Sequence, residues 1–189
     1  MKRAEALAIL AEHKGDDGIS VATMRAIPDW YATGKAPDRH LDNRGFMGGA
    51  SAFALGLAIA QPRRRVIVVD GDGSLLMQLG SLASIAEAAP QNLYHVVLVN
   101  GVYETSGYQK TPGADKLNFA ALAKAAGYHD AFEFDDSAVL AERLPSVMDT
   151  PGPVLLALYV DAEDVRQAFP AGRPTDPAGH LRAQLVGPE

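Results

Sequence analysis

The pattern of this 189-residue chain predicts an α/β fold, a single three-layer doubly wound domain with a mostly parallel sheet. Three observations predict it. Segments with helical spacing alternate with short β-branched runs along the chain. Two of those runs, VIVVD (66–70) and YHVVLVN (94–100), are apolar on both faces, as strands covered by helices on both sides must be. The polar strand-ends at 70–74 and 100–109 fall where such sheets place ligands. The domain is expected over residues 1–160. The proline-rich stretch 161–189 is expected to be a tail lying on the surface or against a partner.

The elements follow in order. Residues 3–13 put Ala4, Leu7, Leu10 and Ala11 on one helical face. After the turn residues Gly15-Asp16-Asp17, a short strand is expected at 18–23. Residues 28–43 read as polar and irregular, with one helical turn around Trp30 and Tyr31. GFMGGASAFALGLAIA (45–60) is apolar on all sides, which predicts a helix buried in the core or in an interface. Arg63, Arg64 and Arg65 form a solvated loop before the first central strand. GDGS ends that strand and opens a helix with Leu75, Leu79, Leu82 and Ala86 as its core stripe, stopped by Pro90. A loop is expected over 101–116. A helix at 118–126 ends on Gly127, a suitable C-cap. A strand at 131–134, a helix over 136–148 capped by Asp135 or Asp136, and the strand PVLLALYV (153–160) complete the domain.

Composition narrows the function classes. Hydrophobic residues at 48% supply a sizeable core. A net charge of −6 argues against nucleic acid or an acidic membrane as partner. An anionic ligand would need local devices, such as helix N-termini and a metal ion. With no cysteine, disulfides, thiolate nucleophiles and cysteine-ligated zinc are excluded. The longest low-charge run, 45–61, is short of a membrane span. The basic start is broken by Glu5, Glu12 and His13, unlike a signal peptide. A soluble cytoplasmic protein is expected.

The chemistry concentrates at the first central strand-end. Gly71 and Gly73 permit close backbone approach. Ser74 stands where a helix begins, so its hydroxyl and nearby N–H groups can face an anion. Asp72 offers a carboxylate oxygen there, and Asn100 an amide oxygen at the end of the next buried strand. Mg²⁺ takes one or two protein oxygens together with phosphate oxygens and water, so one carboxylate, one amide and a diphosphate suit it. Among the histidines, His95 is expected to be a satisfied core residue. His13, His129 and His180 are expected at the surface, and His40 is a candidate to approach the site.

Gly71-Asp72-Gly73, twenty-six residues and then Asn100 resembles the GDG…N signature of thiamine diphosphate (ThDP)-dependent enzymes. Gly45-Phe46-Met47-Gly48 resembles the G-x-Φ-G turn of the same family. The resemblance implies that Asp72, Asn100 and the backbone carbonyl of Val102 bind Mg²⁺. It implies that the Gly45 carbonyl receives the aminopyrimidine amino group and that Met47 props the cofactor in its bent form. Gly48, Gly71, Gly73, Ser74, Tyr103 and Glu104 complete the implied cofactor contacts. Glu104, with Tyr103 and Gln109, lies in the loop expected to cover the cofactor, and is this chain's own catalytic candidate.

The chain also resembles the diphosphate-binding (PP) β subunit of sulfopyruvate decarboxylase and the matching half of phosphonopyruvate decarboxylase. It departs from that group at Val99, where a first asparagine is usual, and at Tyr108 and Lys110. It also lacks a Thr-Gly turn around Thr23-Met24-Arg25. In the family, the glutamate that activates the aminopyrimidine sits on a second, pyrimidine-binding domain, for which this chain has no room. The resemblance therefore implies a separate α subunit supplying it, a hetero-oligomer, and decarboxylation of a small 2-oxo acid. Two alternatives stay open. VIVVDGDGSLL also resembles the opening motif of haloacid dehalogenase-type phosphatases, with Asp70 as nucleophile and Asp72 as acid/base. A non-catalytic regulatory ThDP-binding module is the other.

Overall fold

The computed structural model describes residues 1–35, 38–163, 168–169, 171 and 173–186. In chain order the first elements are α1 (Arg3–Ala11), β1 (Ile19–Thr23), α2 (Ala26–Ala32), β2 (His40–Asn43), α3 (Ala50–Ala60), β3 (Val66–Gly71), α4 (Asp72–Met77) and α5 (Ser81–Ala88). Then follow β4 (Leu93–Val99), β5 (Val102–Tyr103), β6 (Gln109–Lys110), α6 (Phe119–Ala126), β7 (Asp130–Phe134), α7 (Ser137–Met148), β8 (Val154–Tyr159) and α8 (Pro177–Val186). Six strands form one sheet in the order β2-β1-β3-β4-β8-β7, every neighbouring pair parallel.

The expected three layers are present, because alternate strand residues face opposite ways. Ile67, Val69, Val96 and Leu98 face a core with α1, α2 and α7. Val66, Val68, Val97 and Val99 face the other core, with α3, α5, α6 and Leu181 of α8. β3 and β4 are buried along nearly their whole length, as their two-sided apolar runs require. The caps of the later helices also match. Asn118 accepts from the Ala121 N–H, Gly127 takes the left-handed conformation, and Asp136 accepts from Ala138 and Val139.

Five segments differ from expectation. Residues 28–43 are less irregular than expected: the helical turn around Trp30 and Tyr31 is present as part of α2, but the edge strand β2 also falls here, its polar sequence HLDN carrying no apolar alternation to read; residues 36 and 37 lie outside the described residues. The helix after GDGS is two helices, broken at 78–80, where Gln78 leaves the helical region just before Gly80. The 101–116 loop contains a two-stranded antiparallel hairpin, β5–β6, too short to show a period. The tail includes α8, which packs against β2; residues 164–167, 170, 172 and 187–189 of the expected tail lie outside the described residues. The 45–60 helix begins only at Ala50. It buries Ala50, Ser51, Ala54 and Ala58 but leaves Phe53 and Ile59 exposed, with Phe46 exposed just before it. No helix among the described residues is long and apolar enough to cross a membrane.

His40 does not approach the site. It is buried on β2, with Nδ1 2.8 Å from Ser20 Oγ and Nε2 3.0 Å from Asp42 Oδ1. Trp30 Nε1 donates to the same Ser20 hydroxyl at 3.1 Å. Ser20 is wholly buried, so this Ser-His-Asp set serves packing rather than nucleophilic attack. Burial holds His40 below its ordinary 6.5, and Asp42 is held below its ordinary 3.8 by His40 and Arg173, against the opposing effect of its own burial. Both shifts have the same consequence in acid. The unfolded chain takes up the histidine proton first, so stability falls as pH drops below about 6.5; the Asp42 contribution is then lost as pH falls through and below 3.8. Melting temperature against pH should decline across both windows in the wild type. His40→Gln should flatten the upper window; an unchanged slope there would show that another group is responsible.

Candidate functional site

Two connections part company at the carboxyl ends of β1 and β3. From β1 the chain crosses through α2 on one face to β2; from β3 it crosses through α4 and α5 on the other face to β4. Neighbouring strands whose connections diverge leave a crevice between their ends, which is where ligands enter folds of this kind. The crevice here is a cavity of about 70 Å³, lined by Thr23–Ala26 after β1 and Asp70–Ser74 after β3. Arg3, Met47, Asn100 and the hairpin residues from Val102 to Thr105 complete it.

The structure thus brings together Met47, Gly71, Asp72, Gly73, Ser74, Asn100, Val102, Tyr103 and Glu104. Gly45 and Gly48 do not line the cavity. They shape the turn behind Met47, both at positive φ, where glycine carries no Cβ penalty. That turn is tied to the GDGS segment by the Gly48 N–H, which donates to Ser74 Oγ at 2.9 Å. Gln109 stands exposed on β6, away from the cavity.

Asp72 is 3% exposed. Its Oδ1 accepts from the Gly73 N–H at 2.7 Å and its Oδ2 from the Gly101 N–H at 2.8 Å. Asn100 Oδ1 accepts from the Val102 N–H at 3.0 Å. Burial raises the Asp72 carboxyl above its ordinary range, and the N–H donors only partly offset this. Among the described residues no Lys, Arg or His pairs with it. The donor chemistry fits Mg²⁺: a carboxylate with no positive partner, and an amide oxygen across the same wall. No group of three or more His, Asp or Glu side chains forms a metal set among the described residues, so an ion here would draw its remaining ligands from backbone carbonyls, phosphate and water.

Close approach is required at Gly73. A Cβ there would stand 2.3 Å from the Tyr103 ring. Gly71, by contrast, faces open space.

Glu104, the catalytic candidate, is engaged rather than free. Its Oε2 accepts from Arg3 Nη1 at 2.7 Å and its Oε1 from the Glu163 N–H at 3.0 Å. Asp70, at the cavity wall, and His95 behind it are fully buried and 3.7 Å apart, and His95 Nδ1 lies 3.0 Å from the Tyr128 hydroxyl. His95 is therefore the core residue expected, though its Nε2 lacks a hydrogen bond. Arg3 escaped sequence reasoning, since it sits on an ordinary amphipathic helix. Arg25 entered it only within the Thr23-Met24-Arg25 stretch, and the structure places that stretch at the cavity.

Comparison with known proteins agrees with this geometry. Residues 25–158 match the thiamine pyrophosphate enzyme C-terminal TPP binding domain. The chain belongs to that family. It is 39% identical over 155 residues to a phosphonopyruvate decarboxylase of Streptomyces viridochromogenes, covering 80% of this chain and 38% of that one. It is 43% identical over 143 residues to the sulfopyruvate decarboxylase subunit beta of Methanothermobacter thermautotrophicus, covering 69% and 74%. The chain thus spans well under half of the former relative and about three quarters of the latter. In fold it resembles a putative thiamin diphosphate-dependent enzyme from Mycobacterium smegmatis, with a TM-score of 0.73 at 21% identity over 86% of this chain and 32% of that one.

Gly73→Ala should lower stability by about 1–3 kcal/mol through overpacking against Tyr103. Urea denaturation checks this, and the double variant Gly73→Ala/Tyr103→Ala should recover most of the loss. A double variant no more stable than the single one would mean that the ring is not the obstacle.

Proposed function

We propose that this chain is the diphosphate-binding subunit of a ThDP- and Mg²⁺-dependent decarboxylase acting on a small 2-oxo acid of the sulfopyruvate or phosphonopyruvate kind. The observation that carries the reading is the Asp72 carboxylate, without a Lys, Arg or His partner among the described residues, beside Asn100 at the crevice between β1 and β3 and within a TPP-binding domain match. Asp72, Asn100 and the Val102 carbonyl would hold Mg²⁺ against the diphosphate. Ser74, whose oxygen already accepts from Gly48, keeps its own O–H to donate. The cofactor, when bound, supplies a carbanion that adds to the keto carbon and accepts the electrons released with CO₂. Met47 would support its bent form, Gly45 would accept a hydrogen bond from its amino group, and Tyr103 and Glu104 would cover it.

The cavity, about 70 Å³ and open to solvent, is small beside a whole cofactor. That supports a reading in which another surface encloses much of the cofactor. A pyrimidine-domain α subunit carrying the activating glutamate fits that need, and subunit names among the relatives point the same way. Because Glu104 is already bound to Arg3, it is better suited to positioning the covering hairpin than to catalysis. The phosphatase reading gains nothing from the fold: Asp70 is wholly buried beside His95. Nor does any observation favour a non-catalytic module.

Calorimetry with ThDP and Mg²⁺, on the chain with and without its co-expressed partner, tests the proposal. Asp72→Ala should weaken binding by more than about 100-fold, as loss of a metal ligand does. Asp70→Asn should be mild. No binding by the wild type under either condition would refute the proposal, and a fatal Asp70→Asn would revive the phosphatase.

A further inference from the structure

Behind the β3 turn, the core that faces α3, α5 and α6 holds three neighbouring polar side chains. Asp70 on β3 and His95 on β4 are wholly buried, and Tyr128, between α6 and β7, is 4% exposed. Elsewhere on this face β3 carries Val66 and Val68, and β4 carries Leu93 and Val97. Apolar residues of similar volume would fill such a core at less cost than a polar trio, which points to a task beyond packing.

The trio is linked in order, and its last member reaches the metal turn. His95 Nδ1 lies 3.0 Å from the Tyr128 hydroxyl, and His95 Nε2 faces Asp70 Oδ2 at 3.7 Å. The other carboxylate oxygen of Asp70, Oδ1, accepts from the Gly71 N–H at 2.9 Å, and Asp72 is the next residue. Nε2 and Oδ2 are both buried, and neither has a hydrogen-bond partner among the described residues. Each can satisfy the other. A small rotation of the imidazole joins them, whereas apart they leave a buried donor and a buried acceptor unmet. Proton positions follow from the same contacts. Burial, and then the Asp70 charge, push the Tyr128 hydroxyl above its ordinary 10, so it keeps its proton. Donated to Nδ1, that proton leaves the imidazole N–H on Nε2, aimed at an oxygen that only accepts.

We propose that His95, oriented by Tyr128, is a positioning residue for the metal-binding turn: its Nε2–H holds the Asp70 carboxylate, which fixes Gly71 and thereby sets Asp72. The effect on metal affinity rests on the reading of Asp72 and Asn100 as metal ligands; the direction of the hydrogen-bond chain does not.

The test uses the chain in complex with its partner, with ¹⁵N-histidine in this chain alone. Long-range ¹H–¹⁵N correlation spectra, with His95 assigned by its loss in His95→Gln, should show its proton on Nε2. Asp70→Asn keeps an acceptor for Gly71 but turns a donor toward the imidazole, so the His95 proton should move to Nδ1. Mn²⁺ titration by electron paramagnetic resonance, with ThDP present, reads the turn itself. His95→Leu should raise the Mn²⁺ Kd about tenfold, the scale of losing an outer-shell partner. His95→Gln, whose amide N–H can reach Asp70, and Asp70→Asn should both stay within about threefold of wild type. A bare Nε2 in the wild type, or a tautomer that Asp70→Asn leaves unmoved, overturns the proposal. So does an unchanged Mn²⁺ Kd in folded His95→Leu, or a His95→Gln no better than His95→Leu. If circular dichroism shows His95→Leu unfolded, Tyr128→Phe carries the affinity comparison. Its Kd should rise about fivefold, the ordinary worth of one hydrogen bond, and no rise overturns the proposal. A wild type with the expected tautomers that binds no Mn²⁺ refutes the metal reading instead.

Discussion

The carboxylate of Asp72 sits between the ends of β3 and β4 with N–H donors from Gly73 and Gly101 and no Lys, Arg or His partner among the described residues, and the surrounding elements are arranged to hold it there. Burying an unpaired charge in this way is unfavourable by several kcal/mol unless something compensates. Two backbone donors supply part of that compensation, and a divalent ion would supply the rest. The strand order makes the burial possible. β3 lies inside the sheet, its connection diverges from that of β1, and the turn that follows it is closed over by the β5–β6 hairpin. Gly73 has no Cβ, so the Tyr103 ring can lie against the turn.

Charge is divided across the crevice. On the β4 side stand the Asp72 carboxylate and the Asn100 amide oxygen. On the β1 side, Arg3 and Arg25 meet Asp29, Glu104 and Glu163 in a network that ties the first helix to the hairpin. A chain with net charge −6 can thereby present both signs within one small cavity without a basic surface. The exposed Phe46, Phe53 and Ile59 lie on and just before α3, with Phe46 within the Gly45–Gly48 turn.

What could be read from the sequence follows from how local each signal is. VIVVD and YHVVLVN declare central parallel strands because nothing polar interrupts them, and GDGS with Asn100 marks the chemistry because strand-ends are where parallel sheets place it. Asn118, Gly127 and Asp136 announce helix boundaries through cap chemistry alone. The edge strand HLDN was illegible, since its His40 and Asp42 are buried by pairing with each other and with Ser20 and Arg173, not by an apolar pattern. The role of Glu104 could not be judged either, because its partner Arg3 stands 101 residues away. The place of Arg25 at the cavity likewise follows from the adjacency of β1 and β3, which is a property of topology.

The central claim is that Asp72 and Asn100 hold a divalent ion against a diphosphate in a site this chain only half encloses. Electron–nuclear double resonance on Mn²⁺, substituted for Mg²⁺ in the chain–partner complex with ThDP, tests it most directly. The account predicts one bound Mn²⁺ per chain with phosphorus hyperfine coupling, appearing only when ThDP is present and lost in Asn100→Ala. Mn²⁺ bound without phosphorus coupling, or coupling that survives Asn100→Ala unchanged, would contradict it.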